Sequence, residues 1–233
     1  MTLINLADFS TNTFATSHSS QTYLEFSTDD SILLTCGGGV HNGREWDLSG
    51  SPITDTATFS LSQIRNCKYN SASNKIAAVS NSKLRQISSG GNDRSHNIGS
   101  CRHVDYSPDD SRIVAACNDG VRDVGGSDAD VLQSGNLRTV SYSKSTLSPF
   151  FAFGGDDKIV YIMNGTSNNE TLISKLPTFD VINELDFDDT GEYLLAGDDD
   201  GYIYEYVRKC NDCDPGYYYD TGDHVCKLCY DNI

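Results

Sequence analysis

An aromatic residue, a polar turn, an apolar run, a second turn often carrying Asp, and a second apolar run recur in that order five times along this chain. The aromatic anchors are Phe26, Tyr69, Tyr106, Tyr142 and Phe187, separated by 43, 37, 36 and 45 residues. This falls near the period of about 40–45 residues expected when four short strands make one blade of a closed ring. In each repeat a first strand ends at the anchor, and its alternation puts the ring on a packed face. The second strand (ILLTC, KIAAVS, RIVAAC, FFAF or YLLAG) is almost continuously apolar, as expected of a strand covered on both faces. A third strand follows (LRQI, VRDV, KIVYIM or YIYEYV), and ATFSL, VLQ and TLIS are candidate fourth strands at the rim. The pattern predicts an all-β chain with five four-stranded blades over residues 22–207, no helix longer than two turns, and all five anchors buried at equivalent places.

The charge balance narrows the partners. Seventeen Lys and Arg stand against 33 Asp and Glu, a formal charge of −16. Such a chain repels phosphate backbones, so nucleic acid is not an expected partner. The acids are scattered through turns, as on a solvated surface. No apolar run approaches the ~20 residues that span a bilayer, so no membrane insertion is expected in this segment.

The repeats resemble the WD40 family. Trp46-Asp47 is the literal copy of that family's dipeptide, and Asp119, Asp157 and Asp200 stand where the family places the Asp before its third strand. The Gly-His dipeptide is absent, although Ser17-His18 and Ser95-His96 lie close to its position. The resemblance covers residues 1–208 and implies a β-propeller of about five blades, fewer than the seven usual in the family. It also implies structural roles for these aspartates and histidines, as turn supports. A larger ring whose first blades lie outside this sequence is the rival. Repeat five runs from YIYEYV straight into Arg208-Lys209-Cys210, leaving no room for a fourth strand, while TLINLADF has strand character and belongs to no complete repeat. The family commonly closes its ring by letting an N-terminal strand complete the last blade, which removes exposed edges. The same strand completing a neighbour's last blade would instead build a fibre.

Residues 209–233 form a cysteine-rich module, read as truncated, in which Cys210, Cys213, Cys226 and Cys229 are spaced C-x2-C-x12-C-x2-C. Two readings stay open, a disulfide unit and a tetrahedral zinc site. Asp212, Asp214, Asp220, Asp223 and Asp231 crowd the segment and disfavour four thiolates around a metal. The string C-x2-C-x-P-G-Y-Y resembles short cysteine-rich repeats akin to those of tumour-necrosis-factor-receptor and ephrin-receptor ectodomains, found in surface proteins of single-celled eukaryotes. That resemblance implies disulfides and an extracellular or cell-surface location, with a cytoplasmic one as the alternative. Extracellular placement gives meaning to the N-glycosylation sequons at Asn164 and Asn169. The N-terminus lacks the basic and apolar regions of a secretory signal, which marks the protein as intracellular or the sequence as a piece of a longer one. In the repeat body Cys36 and Cys117 read as inert buried thiols, while Cys67 and Cys101 begin inner strands of adjacent repeats and are within reach of each other.

No Gly-x-Ser-x-Gly, Walker or dinucleotide fingerprint is present, and the histidines at 18, 41, 96, 103 and 224 form no short metal-ligand spacing. The Asp198-Asp199-Asp200-Gly201 run holds only half of a calcium loop. No cofactor is expected, and catalysis is not. The expected function is a structural or interaction module of an extracellular or surface protein that binds other proteins, copies of itself included, as in a filament or coat. The alternatives are an intracellular WD40 scaffold with a zinc-binding tail, and a propeller hydrolase or lectin with its site in the channel.

Overall fold

The computed structural model describes residues 2–4, 11–13, 19–38, 42–50, 52–61, 63–88, 93–124, 130–145, 149–165, 171–207, 217–220 and 225–228. Every element among them is a strand. β1 (Thr2–Ile4) and β2 (Thr11–Thr13) form an antiparallel pair. Four antiparallel meanders of four strands follow. They are β3 (Ser20–Phe26), β4 (Ile32–Gly38), β5 (Gly43–Asp47) and β6 (Thr54–Phe59), then β7 (Asn66–Tyr69), β8 (Lys75–Val79), β9 (Lys83–Ser88) and β10 (Arg94–Asn97). The third comprises β11 (Cys101–Tyr106), β12 (Ile113–Cys117), β13 (Gly120–Asp123) and β14 (Asp130–Gln133). The fourth comprises β15 (Leu137–Tyr142), β16 (Phe150–Gly155), β17 (Ile159–Asn164) and β18 (Leu172–Pro177). The fifth sheet has three strands among the described residues, β19 (Ile182–Phe187), β20 (Tyr193–Asp198) and β21 (Ile203–Val207). A last hairpin joins β22 (Tyr217–Asp220) to β23 (Val225–Leu228).

The first two strands of the first, second, third and fifth sheets are set by one repeated turn. Ser27, Asn70, Ser107 and Asp188, each just after its anchor, bond through the backbone N–H to the carbonyls of Ile32, Lys75, Arg112 and Tyr193. Three residues further on, Asp30, Ser73, Asp110 and Gly191 all take positive φ, between 51° and 71°. Asp, Ser and Gly there suit a left-handed turn position, which β-branched side chains oppose. A second shared device sits before the anchor. The register of the first strand against the second shifts at Gln21/Tyr23, Cys101/His103, Leu137/Thr139 and Ile182/Glu184, an extra residue that sharpens the local twist.

The core lies between sheets rather than within one. Tyr69 packs with Leu34 and Cys36 of the first sheet, and Tyr106 with Ala77 and Val79 of the second. Tyr142 packs with Val114 and Ala116 of the third, and Phe187 with Ala152 and Val160 of the fourth. Each anchor therefore buries itself against the sheet before it. Among the described residues no sheet stands behind Phe26, which is 44% exposed, so the expectation that all five anchors are buried fails at the first. Of the N-terminal strand expected to complete the fifth sheet, residues 5–9 lie outside the described residues, and residues 2–4 stand in a separate two-stranded sheet with residues 11–13 of the same chain. A further expectation is corrected. The body cysteines are neither free thiols nor a Cys67–Cys101 pair; they form Cys36–Cys67 between the first two sheets and Cys101–Cys117 between neighbouring strands.

Glycines show how tight the stack is. A Cβ on Gly154 of β16 would lie 3.1 Å from Ile182 of the next sheet, whereas one on Gly197, the matching residue of β20, would meet nothing within 4 Å. Gly154→Val is expected to lower unfolding stability by about 1–3 kcal/mol through overpacking. Gly197→Val is expected to stay within about 0.5 kcal/mol of the parent. Urea unfolding of the two variants checks the contrast.

Candidate interaction surface

The first strand of each sheet is an edge strand, and its outward N–H groups need partners. Side chains of the preceding sheet supply them. Glu25 on β3 accepts from the Tyr69 N–H at 2.7 Å, and Asp105 on β11 accepts from the Tyr142 N–H at 2.8 Å. Both acids stand one residue before an anchor. Residues three before an anchor repeat the device: Asn66 accepts from the Val104 N–H at 3.2 Å and Thr139 from the Leu185 N–H at 3.1 Å. His103, at the same position, holds Nδ1 at 2.8 Å from the Val140 carbonyl oxygen.

These side chains converge on a common axis. The Tyr23 ring lies 6.3 Å from the His103 ring, edge on, and His103 Nε2 lies 3.4 Å from the Glu184 carboxylate. The first, third and fifth sheets therefore meet there. Lys68 sits in the middle, donating to the Tyr23 hydroxyl at 2.9 Å and pairing with Glu25 at 3.2 Å. Burial pulls the Lys68 pKa down, but the charges of Asp105 and Glu25 and the Tyr23 hydroxyl outweigh it, leaving the pKa above its usual value. Burial pushes the Glu25 carboxyl up against the pull of Lys68, and it pushes Tyr23 up to about 12. Sequence reasoning did not single out this cluster. Its signal was present in the uniformly polar residues one before each anchor: Glu25, Lys68, Asp105, Ser141 and Asp186.

Away from the axis, successive turns are tied edge to edge. Thr28 bonds to Ser71 and Ser73 of the next turn, and Asn70 and Ser71 bond to Asp110 of the one after. Within the turns Asp29 accepts from Ser27 and Ser31, and Asp109 accepts from Ser107 and Ser111. A polar cleft of about 400 Å³ opens between the second and third sheets, lined by Lys75, Gln86, Arg94, His96, Asp110 and Ser111.

The residues singled out from sequence have these surroundings. Trp46 is buried and donates to Thr35 Oγ1 at 2.9 Å, and Asp47 accepts from Ser49 where β5 ends. Asp119 pairs with Arg122, and Asp157 accepts from the Tyr161 hydroxyl at 2.6 Å. Asp200 adds its field to Lys158, which pairs with Asp180 at 2.7 Å. The buried turn acceptor of the fifth sheet is Asp198, bonded to the Tyr202 N–H and the Tyr204 hydroxyl. Asn164 closes β17, its N–H bonded to the Thr171 carbonyl. Asn169, Cys210, Cys213 and Cys229 lie outside the described residues, and Cys226 lies on β23. Among the described residues no group of His, Cys, Asp and Glu could hold a metal ion, and no helix is long and apolar enough to cross a membrane.

One broad apolar face is left open. On the fifth sheet, Tyr193, Leu195, Ile203 and Val207 point away from the fourth sheet; Leu195 is 48% and Ile203 77% exposed. The structurally matching Ala152 and Val160 of the fourth sheet are fully buried.

One stretch of this region matches a known family. Residues 170–206 fit the family model described as WD domain, G-beta repeat. The matched unit runs from β18, the outer strand of the fourth sheet, through the three strands of the fifth. The match and the four-stranded antiparallel sheets together fit a WD40-like propeller, and such repeats are generally non-catalytic scaffolds for protein contacts. No curated protein matches the chain.

Two outcomes test the electrostatics. Lys68→Met strands Glu25 and Asp105 beside the axis without their cation and is expected to lower stability by about 3–5 kcal/mol, with partial recovery when Glu25→Gln is added. Hydrogen bonds from the Ser27 and Ser31 side chains hold Asp29 down at about 2, and similar bonds depress Asp109. A depressed folded-state pKa gives stability that is complete above the unfolded value near 4 and is lost as pH falls toward 2. Glu25, raised, has the opposite sign: its contribution grows as pH falls through its folded-state value. The pair Asp29→Asn and Asp109→Asn is therefore expected to lower the thermal midpoint at neutral pH and to flatten its further loss between about pH 4 and 2, so that parent and variant converge in acid.

Proposed function

We propose that this protein is a non-catalytic interaction module of an extracellular or cell-surface protein, a rigid WD40-like stack that offers an exposed sheet face to a protein partner. The open apolar face of the fifth sheet carries the reading. Monomeric soluble domains rarely leave a contiguous apolar surface uncovered without a binding role. The WD-repeat match over the same sheet supports it, since that family works by presenting surfaces. The location is supported by the pairing of all four described body cysteines, since disulfides persist in oxidising compartments and are rare in the cytosol. Residues 209–233 extend the reading as a disulfide-stiffened stalk. A fibre or coat built by exchange of the N-terminal strand is a further form of this reading; β1, the described part of that strand, pairs with β2 of its own chain.

Protein taken from its natural source under alkylating conditions is the test. Expected are non-reduced peptides linking Cys36 to Cys67 and Cys101 to Cys117, a glycan on Asn164 or Asn169, and a native mass greater than that of the chain alone. Alkylated body thiols together with zinc in the tail would establish the intracellular scaffold instead.

A further inference from the structure

The contact that joins the sheets follows a rule, and in the fifth sheet the acceptors it calls for meet only side chains, Glu184 the His103 ring at 3.4 Å and Asp186 the Ser141 hydroxyl at 3.2 Å. Positions one and three before the anchor offer acceptors to the next first strand, as Glu25, Asp105, Asn66 and Thr139 do. The second strand offers small or aliphatic residues: Leu34 and Cys36, Ala77 and Val79, Val114 and Ala116, Ala152 and Gly154. In the fifth sheet the corresponding residues are Glu184 and Asp186, then Leu195 and Gly197, and all but Gly197 are exposed. Open space lies over Gly197, where Ile182 sits over Gly154.

The chain does not cover this face with its own first sheet. Leu24 and Phe26 occupy the places of Leu185 and Phe187, the residues that seat on a preceding sheet, yet Leu24 is 47% exposed. Charge explains the mismatch. The open face carries Glu184, Asp186 and Glu205 beside its apolar residues, and β3 (SQTYLEF) has no Lys or Arg to set against them, while Lys68 of the second sheet is already paired with Glu25. Where such an acid is seated between sheets, the incoming strand supplies a base: β7 brings Lys68 to Glu25 at 3.2 Å, together with the Tyr69 N–H.

We propose that the open face of the fifth sheet docks a cationic, apolar β-segment of a different protein, stacked as the next sheet. Its apolar side chains cover Tyr193, Leu195, Ile203 and Val207; its Lys or Arg pairs with Glu184 and Asp186; and its free edge N–H groups take the places that Tyr69 and Tyr142 take at Glu25 and Asp105. A second copy of this chain is the poorer occupant, because at a formal charge of −16 it doubles the acid at the contact. The proposal names the partner chemistry for the interaction reading above and rests on it.

The probe is a short alternating Val-Lys peptide titrated into the full chain, with Gly-Lys and Val-Glu peptides of equal length alongside. Expected is saturable binding of the Val-Lys peptide alone, weakened about tenfold or more by Leu195→Asp with Ile203→Asp, and several-fold by Glu184→Gln with Asp186→Asn. All four positions are exposed, and unchanged circular dichroism and thermal midpoint establish that the variants fold. Equal binding of the Gly-Lys peptide, or indifference to these substitutions, overturns the proposal in favour of plain attraction between a polycation and an acidic chain. Sedimentation showing a dimer that Leu195→Asp dissolves overturns it in favour of a second copy. A natural complex that survives both pairs of substitutions sinks this docking site and leaves the interaction module standing.

Discussion

Everything in this molecule depends on satisfying the unpaired edge of each sheet's first strand. A strand with its N–H groups turned to a low-dielectric axis pays full desolvation for each one left unbonded. Here the side chains that answer the Tyr69, Val104, Tyr142 and Leu185 N–H groups belong to the sheet before, so the second to fifth sheets each depend on a neighbour. Apolar packing between sheets and this polar capping along the axis specify the same neighbour relation. Agreement of two independent forces on one arrangement is what makes a short, irregular repeat sequence fold to a single stack.

The axial charges follow from that constraint. Glu25 and Asp105 are there to accept hydrogen bonds, and two carboxylates near one axis need a cation. Lys68 provides it, reaching the Tyr23 hydroxyl and Glu25 together, and Lys144 stands 4.0 Å from Asp105 at the margin. The cluster therefore resembles an acid–base site in its residue types while acting as a structural joint. The buried Arg112 plays a similar part between the third and fourth sheets, bonding Asp123 through Nε at 2.9 Å and the Gly165 carbonyl at 3.3 Å.

Strand order and the placing of second and third strands were legible because they rest on local periodicity. KIAAV, IVAAC and FFAFGG read as doubly covered strands and are so. What failed depended on neighbours that no local pattern contains. Phe26 has the same sequence context as Tyr106, yet burial of an anchor is decided by the sheet behind it, and the first sheet of the described stack has none. The cysteines failed for a related reason. Cys36 lies ten residues after its anchor and Cys67 two before the next, an offset that carries no meaning until the face-to-face contact is known. The open face was legible in part: Tyr193, Leu195, Ile203 and Val207 alternate with buried or half-buried residues, but an alternating strand does not reveal whether its second face meets water or another sheet.

The Cys36–Cys67 bridge shows the joint in covalent form. In the next interfaces its two positions are filled by Val79 with Val104, and then by Ala116 with Val140, each pair within one buried cluster. The disulfide thus replaces an apolar contact at the place where sheets meet, and the closed loop spans 31 residues. Loops of that size stabilise by about 3–4 kcal/mol in the chain-entropy account. It lies in the first interface of the stack, where the first sheet is gripped from one side only and Leu24 and Phe26 remain uncovered on the other. A sheet packed on one face gains cooperativity from one neighbour only, so it frays before sheets packed on both. A covalent tie at that interface supplies the cohesion that the fully stacked sheets obtain from packing on both faces.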